Sequence, residues 1–185
     1  KHYQLKINTM RLIIGLGNPE KEYADTRHNA GFLVIDKLVQ NLETNTSFDK
    51  KANAEVFKTT INKKRVILAK PQTYMNNSGQ AVQALLTFYK LKPEDLIVIH
   101  DDKDIPLGET RLQTNRGPAG HNGIKSIIEH LGTQNFMRIR VGVAPTTQNE
   151  IKDTASFVLG KFTAVEMKAL KKVIENVSKE IETLI

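Results

Sequence analysis

The sequence predicts a single α/β domain in which a twisted, mixed β-sheet is flanked by helices and followed by an amphipathic C-terminal helix. Short apolar runs that suit buried strands alternate along the chain with stretches whose apolar residues recur at helical spacing. No linker, internal repeat or low-complexity block interrupts this alternation. The length of 185 residues is that of one ordinary domain and is sufficient to bury a core.

Strands are predicted where short apolar runs are bounded by turn residues. Residues 61–64 separate two such runs and are expected to form the turn of a hairpin. In the last run, Arg138 and Arg140 alternate with apolar residues, which is the pattern of a half-buried strand. The predicted strands and extended segments are Arg11–Leu16, Ala54–Thr60, Arg65–Ala69, Asp95–His100, Thr110–Thr114 and Phe136–Val143.

Helices are predicted where apolar residues recur every three or four positions. Asn29 is the expected N-cap of the first helix, and either Asn77 or Ser78 is expected to cap the second. Residues 144–154 are predicted to form a polar loop. The predicted helices are Asn29–Leu42, Ser78–Leu91, Gly123–Leu131 and Ala164–Ile185.

The composition excludes several classes of protein. Cysteine is absent, which excludes a disulfide framework, a thiol nucleophile and a thiolate zinc site. No stretch approaches the ~18 apolar residues of a membrane span, so we expect no membrane partner. Residues 1–9 lack the apolar core of a signal peptide, and we interpret them as a tag or vector leader. The domain itself is expected to occupy residues 10–185.

The charge balance favours a polyanionic partner. The chain carries 27 Lys and Arg against 20 Asp and Glu, a formal net charge of +7. A basic surface of this kind suits nucleic acid first and a membrane surface second. Many proteins share such a charge, so the charge alone does not identify the partner. The polar motifs are needed for that.

The first polar motif follows the first predicted strand. Gly15-Leu16-Gly17 invites a dinucleotide-binding interpretation, but the third glycine of that fingerprint is missing because position 20 is Glu. His28 is the more informative residue, since an imidazole can accept a proton from water at neutral pH. Asn18 and Asn29 flank it in sequence, and their amides can form hydrogen bonds without competing for that proton.

Two further motifs are predicted to lie at the ends of strands or in neighbouring loops. The second, residues 70–79, joins a strand to a helix. The third comprises residues 100–104 and 117–123. Its carboxylates raise the possibility of a magnesium or manganese site, but Lys103 within the acidic run opposes cation binding. A carboxylate can instead orient a histidine, and the free amides at the start of a helix can stabilise an oxyanion.

The sequence offers no obvious nucleophile for covalent acyl transfer. It contains no cysteine, and no serine lies in a Gly-x-Ser-x-Gly elbow. Hydrolysis by a water molecule that a base activates therefore fits the residues better.

The three motifs together resemble the bacterial-type peptidyl-tRNA hydrolases. The matching stretches are residues 15–32, 70–79 and 100–123, and the resemblance extends from Met10 to the C-terminal helix. It implies a single α/β domain that cleaves the ester between a peptide and the 3′ ribose of tRNA, which recycles the tRNA. It implies no metal and no organic cofactor.

The resemblance also implies roles for individual residues. His28 corresponds to the general base, Asp101 to its orienting partner and Asn18 to the third member of the catalytic set. The side chains expected to bind the substrate or the oxyanion, or to line the cleft, are Tyr23, Met75, Asn76, His121 and Asn122.

We expect peptidyl-tRNA to be contacted at its acceptor stem and 3′ end. Arg140 matches a strand arginine that the family uses toward a tRNA phosphate. The other basic residues expected to contact tRNA are Arg111, Arg116, Lys125 and Arg138. By resemblance the protein is expected to be a cytoplasmic monomer.

The chain departs from the family pattern at several positions. Glu20 replaces a usual glycine, Lys103 a common apolar residue and Gln113 a frequent lysine, and residues 116–120 contain fewer glycines than usual. Two other functions compete with the hydrolase. One is an RNA-binding protein on the same scaffold, like the relatives that act in organelle RNA splicing. The other is an oxidoreductase, which rests on Gly15-Leu16-Gly17 alone.

Overall fold

The computed structural model describes residues 10–145 and 151–185. The interpretation of residues 1–9 as a leader lies outside the described residues, as do residues 146–150 of the predicted polar loop. The strands are β1 (Arg11–Gly15), β2 (Asn45–Asp49), β3 (Ala54–Ile61), β4 (Lys64–Pro71), β5 (Leu96–Pro106), β6 (Thr110–Gln113) and β7 (Met137–Ala144). The helices are α1 (Ala30–Asn41), α2 (Ser78–Tyr89), α3 (Asn122–Leu131), α4 (Thr154–Leu159) and α5 (Ala164–Leu184).

The strands form one seven-stranded mixed sheet in the order β2-β3-β4-β1-β5-β7-β6. The four inner strands β4, β1, β5 and β7 run parallel, and β2, β3 and β6 add antiparallel pairings towards the two edges. The predicted α/β class with a mixed sheet and a C-terminal helix is confirmed.

Helices cover both faces of the sheet because its inner strands are apolar on both sides. In β1, Ile13 packs towards α1 and α5, whereas Leu12 and Ile14 pack towards α2 and α3. The C-terminal helix buries Leu170, Val177 and other residues in the first of these layers. Within the described residues, no helix combines the length and apolar character that crossing a membrane requires.

The functional motifs meet at the carboxyl edge of the parallel strands, where ligand sites of open α/β sheets lie. The loop after β1 carries His28, and the loop after β4 carries residues 72–77. Asp101 lies in the second half of β5, and α3 begins beside it with His121 as its N-cap.

The structure departs from the predicted elements in four places. Strand β7 was predicted to be half-buried, but Arg138 and Arg140 are buried as well, because the loop after β6 and the side chains of Asp102 and Gln113 contact their guanidiniums. Strand β5 continues beyond His100 through a polar stretch. Strand β2 and helix α4 were not predicted, since β2 is almost entirely exposed and α4 has only six residues.

Close packing of α1 on the sheet explains the glycine-rich start of the chain. A Cβ on Gly31 would lie 2.4 Å from both the carbonyl oxygen of Ile99 and the backbone nitrogen of Leu16. A Cβ on Gly17 would lie 2.6 Å from the ring of Phe32. The glycines therefore serve the approach of α1 to β1 and β5, which brings His28 to Asp101.

Substituting Gly31→Ala is expected to lower the free energy of unfolding by about 1–3 kcal/mol, because the added methyl group meets backbone rather than a movable side chain. Urea denaturation checks this value. Gly117→Ala is the matched control, since a Cβ there has no atom within 4 Å. Equal stability of the two variants would contradict the packing argument.

Candidate active site

The centre of the site is a buried hydrogen bond between His28 and Asp101. His28 lies in a 3₁₀ turn just before α1, and its Nδ1 is 2.9 Å from Oδ1 of Asp101. The carboxyl side chain is 2% exposed. Because the carboxylate accepts the proton on Nδ1, the other ring nitrogen, Nε2, carries the lone pair of the neutral imidazole.

His121 shares the same carboxylate oxygen. Its Nε2 is 3.0 Å from Oδ1 of Asp101, and its Nδ1 accepts a hydrogen bond from the backbone N–H of Ile124 at 3.3 Å. Since Nδ1 is the acceptor, Nε2 must carry the proton that it donates to Asp101. The N-terminus of α3 thus fixes the tautomer of His121. The sequence placed His121 in the cleft but did not predict this bond.

The electrostatics keep Asp101 ionised. Burial by itself would raise the pKa of this carboxyl, but the neighbouring His28 and His121, through their charge and hydrogen bonds, outweigh it and hold the pKa well below its usual range. His100 stacks edge-on against His121 at 4.7 Å between ring centroids, and burial lowers its pKa well below the ordinary value. A neutral His100 therefore adds no charge next to the pair.

Two asparagines of the motifs form hydrogen bonds to backbone groups, whereas two others are exposed. The Asn29 side chain forms two hydrogen bonds to the backbone of Asn18, at 2.8 and 3.0 Å. Oδ1 of Asn18 accepts the N–H of Met75 at 2.8 Å, which joins the loops that follow β1 and β4. Nδ2 of Asn18 has no partner among the described residues and is available as a donor. Asn76 and Asn122 are exposed.

Two cavities include His28 in their lining. One, which we call the Lys103 cavity, is lined by Asp101, Asp102, Lys103, residues 118–121 and Thr154. The other, the Met75 cavity, is lined by Asn18, Tyr74, Met75, Asn76 and Leu159. The residues that line both cavities are His28, Asn122, Ala155 and Val158.

Helix α4 lines both cavities. Arg27 contacts this helix and links it to α5. The Arg27 guanidinium contacts both carboxylate oxygens of Glu166, at 2.9 and 3.1 Å, and lies 4.5 Å from the centre of the Phe157 ring. Glu166 lies in the first turn of α5, so the ion pair ties the His28 turn to the C-terminal region. Sequence reasoning missed Arg27, although it directly precedes His28.

Tyr74 and Glu20 connect the same two loops at the surface. Both residues have positive φ angles, 58° and 83°, a backbone region that favours glycine. The Tyr74 hydroxyl donates a hydrogen bond to the Glu20 carboxylate. Tyr23 was expected to line the cleft, but it lines neither cavity, and its hydroxyl lies beside Glu22.

The strand arginines do not support the prediction that they contact tRNA. Arg140 is 4% exposed and bonds to Asp102 at 2.7 and 2.8 Å and to Gln113 at 2.9 Å. Arg138 is 1% exposed and donates to the carbonyl oxygens of Arg116 and Gly117. Both guanidiniums therefore have their hydrogen-bond partners inside the protein.

Arg111, Arg116 and Lys125 remain available to a polyanion. The Arg111 side chain is 58% exposed and the Lys125 side chain 65%, each 3.9 Å from a glutamate. Arg116 is partly exposed. Lys125 lies one turn into α3, close in sequence to the cleft residue Asn122.

A metal could be held by the same residues that form the central hydrogen bonds. Nitrogens of His28 and His121 and an oxygen of Asp101 lie within 4.8 Å of one another. Each imidazole N–H donates to the carboxylate, so in this arrangement the nitrogens that face Asp101 offer no lone pair to a cation. The spacing of the histidines in sequence did not reveal this group.

Known proteins match this chain over nearly its whole length. The family model described as peptidyl-tRNA hydrolase matches residues 12–185. A peptidyl-tRNA hydrolase of Aquifex aeolicus is 49% identical over 166 residues, which are 90% of this chain and 85% of that protein. One of Lachnoclostridium phytofermentans is 47% identical over 177 residues, 95% of this chain and 91% of the relative.

Solved structures agree. The crystal structure of a peptidyl-tRNA hydrolase from Acinetobacter baumannii superposes with a TM-score of 0.87 at 35% identity, covering 95% of this chain and 88% of that one. The fold, the histidine–carboxylate pair and these matches together define a hydrolase of the α/β class. The chain belongs to the peptidyl-tRNA hydrolase family.

Replacing Arg140 by Met is expected to lower the free energy of unfolding by about 3–5 kcal/mol, because Asp102 would remain buried without its partner. Arg111→Met is the matched control, since Arg111 pairs with Arg140 in the strand register but is exposed. We expect the control to stay within about 0.5 kcal/mol of wild type. Urea denaturation of both variants measures this difference, and similar losses would contradict a structural role for Arg140.

Proposed function

We propose that this hydrolase cleaves the ester between an N-blocked aminoacyl or peptidyl group and the 3′ ribose of tRNA, with His28 as general base. The observation that carries the proposal is the buried His28–Asp101 hydrogen bond, which leaves Nε2 of His28 unprotonated where two cavities meet. Membership of the family supports the choice of substrate.

The proposed reaction uses water as nucleophile. Nε2 of His28 takes a proton from water as the oxygen attacks the ester carbonyl, and Asp101 stabilises the resulting imidazolium. The tetrahedral oxyanion accepts hydrogen bonds from Nδ2 of Asn18 and from the amides of Asn76 or Asn122. The imidazolium then protonates the departing 3′ oxygen of the ribose, which releases tRNA and the peptide carboxylate.

The lining of the cavities supports an orientation of the substrate. The Met75 cavity combines amides with apolar side chains, which suits a peptide main chain and its side chains. A free α-ammonium in place of the first peptide bond would leave an amide partner unpaired, and such a mismatch discriminates strongly. The Lys103 cavity is then left for the 3′ nucleotide.

The proposal includes the partners and setting predicted from the sequence. Arg111, Arg116 and Lys125 are the exposed basic residues offered to the acceptor stem of tRNA. The reaction needs neither metal nor organic cofactor. A monomer acting in the cytoplasm, where translation supplies peptidyl-tRNA, completes the proposal, and light scattering after gel filtration tests its oligomeric state.

The experiment that tests this function compares N-acetyl-aminoacyl-tRNA with unblocked aminoacyl-tRNA, each with and without chelator. The wild-type protein is expected to release N-acetyl-amino acid from the blocked substrate alone, at a rate that chelator does not change. Binding of tRNA without release would instead support an RNA-binding protein on this scaffold.

In the same assay, His28→Ala is expected to lower kcat by about 10²–10⁴-fold, because the water would lose its base. His130→Ala is the matched control, since that histidine lines neither cavity and its Nδ1 bonds to the carbonyl of Ser126. Equal turnover of His28→Ala and wild type would refute the assignment of the base.

The Asp101→Asn variant is expected to lower kcat by at least about 10²-fold while KM changes much less. An amide in place of the carboxylate can neither stabilise the imidazolium nor enforce the Nδ1–H tautomer of His28. Initial rates over a range of substrate concentrations separate the two constants. A rise in KM at unchanged kcat would show that Asp101 binds substrate rather than orienting the base.

A further inference from the structure

The acidic side chains that line the Lys103 cavity already have buried partners. Asp101 accepts hydrogen bonds from His28 and His121, and Asp102 is paired with the buried guanidinium of Arg140. Among the described residues that line the cavity, the remaining charged side chain is that of Lys103. Lys103 is therefore a cation of the cavity without a buried acidic partner.

Lys103 is only weakly held. Its Nζ lies 2.8 Å from Oδ1 of the adjacent Asp104, whose side chain is 56% exposed, while the Lys103 side chain is 32% exposed. Ion pairs between such exposed groups contribute little, because water and salt screen them. A phosphate, whose oxygens accept hydrogen bonds, can replace Asp104 without loss of a buried contact.

The backbone aims Lys103 into the cavity. Strand β5 pairs in regular parallel register with β7 up to Asp102, and the register shifts between Asp102 and Pro106. Lys103 follows Asp101 by two residues, and the alternation of side chains along a strand places both on the same face. Lys103 is the first residue after the regular part and lines the cavity beside His28.

We propose that Lys103 binds the phosphate on the 5′ oxygen of the terminal nucleoside of the tRNA substrate. The inference rests on the proposed function, which places the 3′ ribose ester at His28. In a 3′ ester of the terminal adenosine, the phosphate on the 5′ oxygen of that ribose is the nearest phosphate to the bond that breaks. A lysine ammonium is a suitable point charge for such an anion.

Placing the phosphate in the Met75 cavity instead would be unfavourable. Its described lining contains amides, apolar side chains and His28, but no lysine or arginine. A phosphodiester there would lose hydration without a cation to replace it, which is costly. The distribution of charge thus directs the nucleotide to one side of His28 and the acyl group to the other.

The test uses two substrates that differ by one phosphate: 3′-O-(N-acetyl-aminoacyl)-adenosine and the same ester of adenosine 5′-monophosphate. For the wild-type protein the phosphate is expected to lower KM about tenfold, the effect of one charge-assisted hydrogen bond. In Lys103→Met this advantage is expected to disappear, and in Lys103→Arg it is expected to persist. Thermal unfolding of each variant verifies that it is folded.

The matched control is Lys168→Met, which removes the same charge from an exposed position on α5, away from both cavities. It is expected to retain the advantage of the phosphate, which separates a local contact from an effect of net charge. A phosphate advantage that survives in Lys103→Met, or that is absent in wild type, would overturn the proposal.

A parallel binding measurement with deacylated tRNA, which carries no ester to cleave, separates this proposal from the proposed function. Loss of one phosphate contact should reduce by about 0.7–0.9 the slope of log Kd against log salt for binding to Lys103→Met. If the wild type cleaved no ester at all, the proposed function would fail, and this slope would still decide the role of Lys103. An unchanged slope would then count against it.

Discussion

The site depends on one carboxylate that is buried and nevertheless charged. Asp101 can remain ionised because two imidazoles donate to the same oxygen, one from the turn before α1 and the other from the N-cap of α3. Each imidazole is oriented by that bond, and the backbone N–H of Ile124 in α3 additionally fixes the tautomer of His121. The sheet, the close approach of α1 and the start of α3 all serve to bring these three groups together.

A second buried pair supports the first from the neighbouring position of β5. Asp102 faces Arg140 of β7, and Gln113 of β6 completes the contacts of the guanidinium. Successive residues of one strand thus have different partners: Asp101 bonds to two histidines, Asp102 to the buried Arg140, and Lys103 to the exposed Asp104. These three residues follow one another within about one nanometre of strand.

The sequence was sufficient to predict the fold class, the main strands and helices, and His28 with Asp101 as partners. These succeeded because apolar periodicity and local motifs are readable along the chain. Burial of Arg140 and the bond between His121 and Asp101 depend on contacts between residues far apart in sequence, which periodicity does not encode. Helix α4 was missed because six residues give too short a pattern, and its position as a cavity wall depends on Arg27 and Glu166.

The link between Arg27 and Glu166 also has a consequence for the order in which the enzyme is made. His28 leaves the ribosome early, whereas the cleft wall in α4 and the glutamate that secures it follow more than a hundred residues later. A nascent chain therefore carries His28 long before it has the cavity wall that α4 forms. The cavities beside His28 can be completed only after the C-terminal part of the chain has been synthesised.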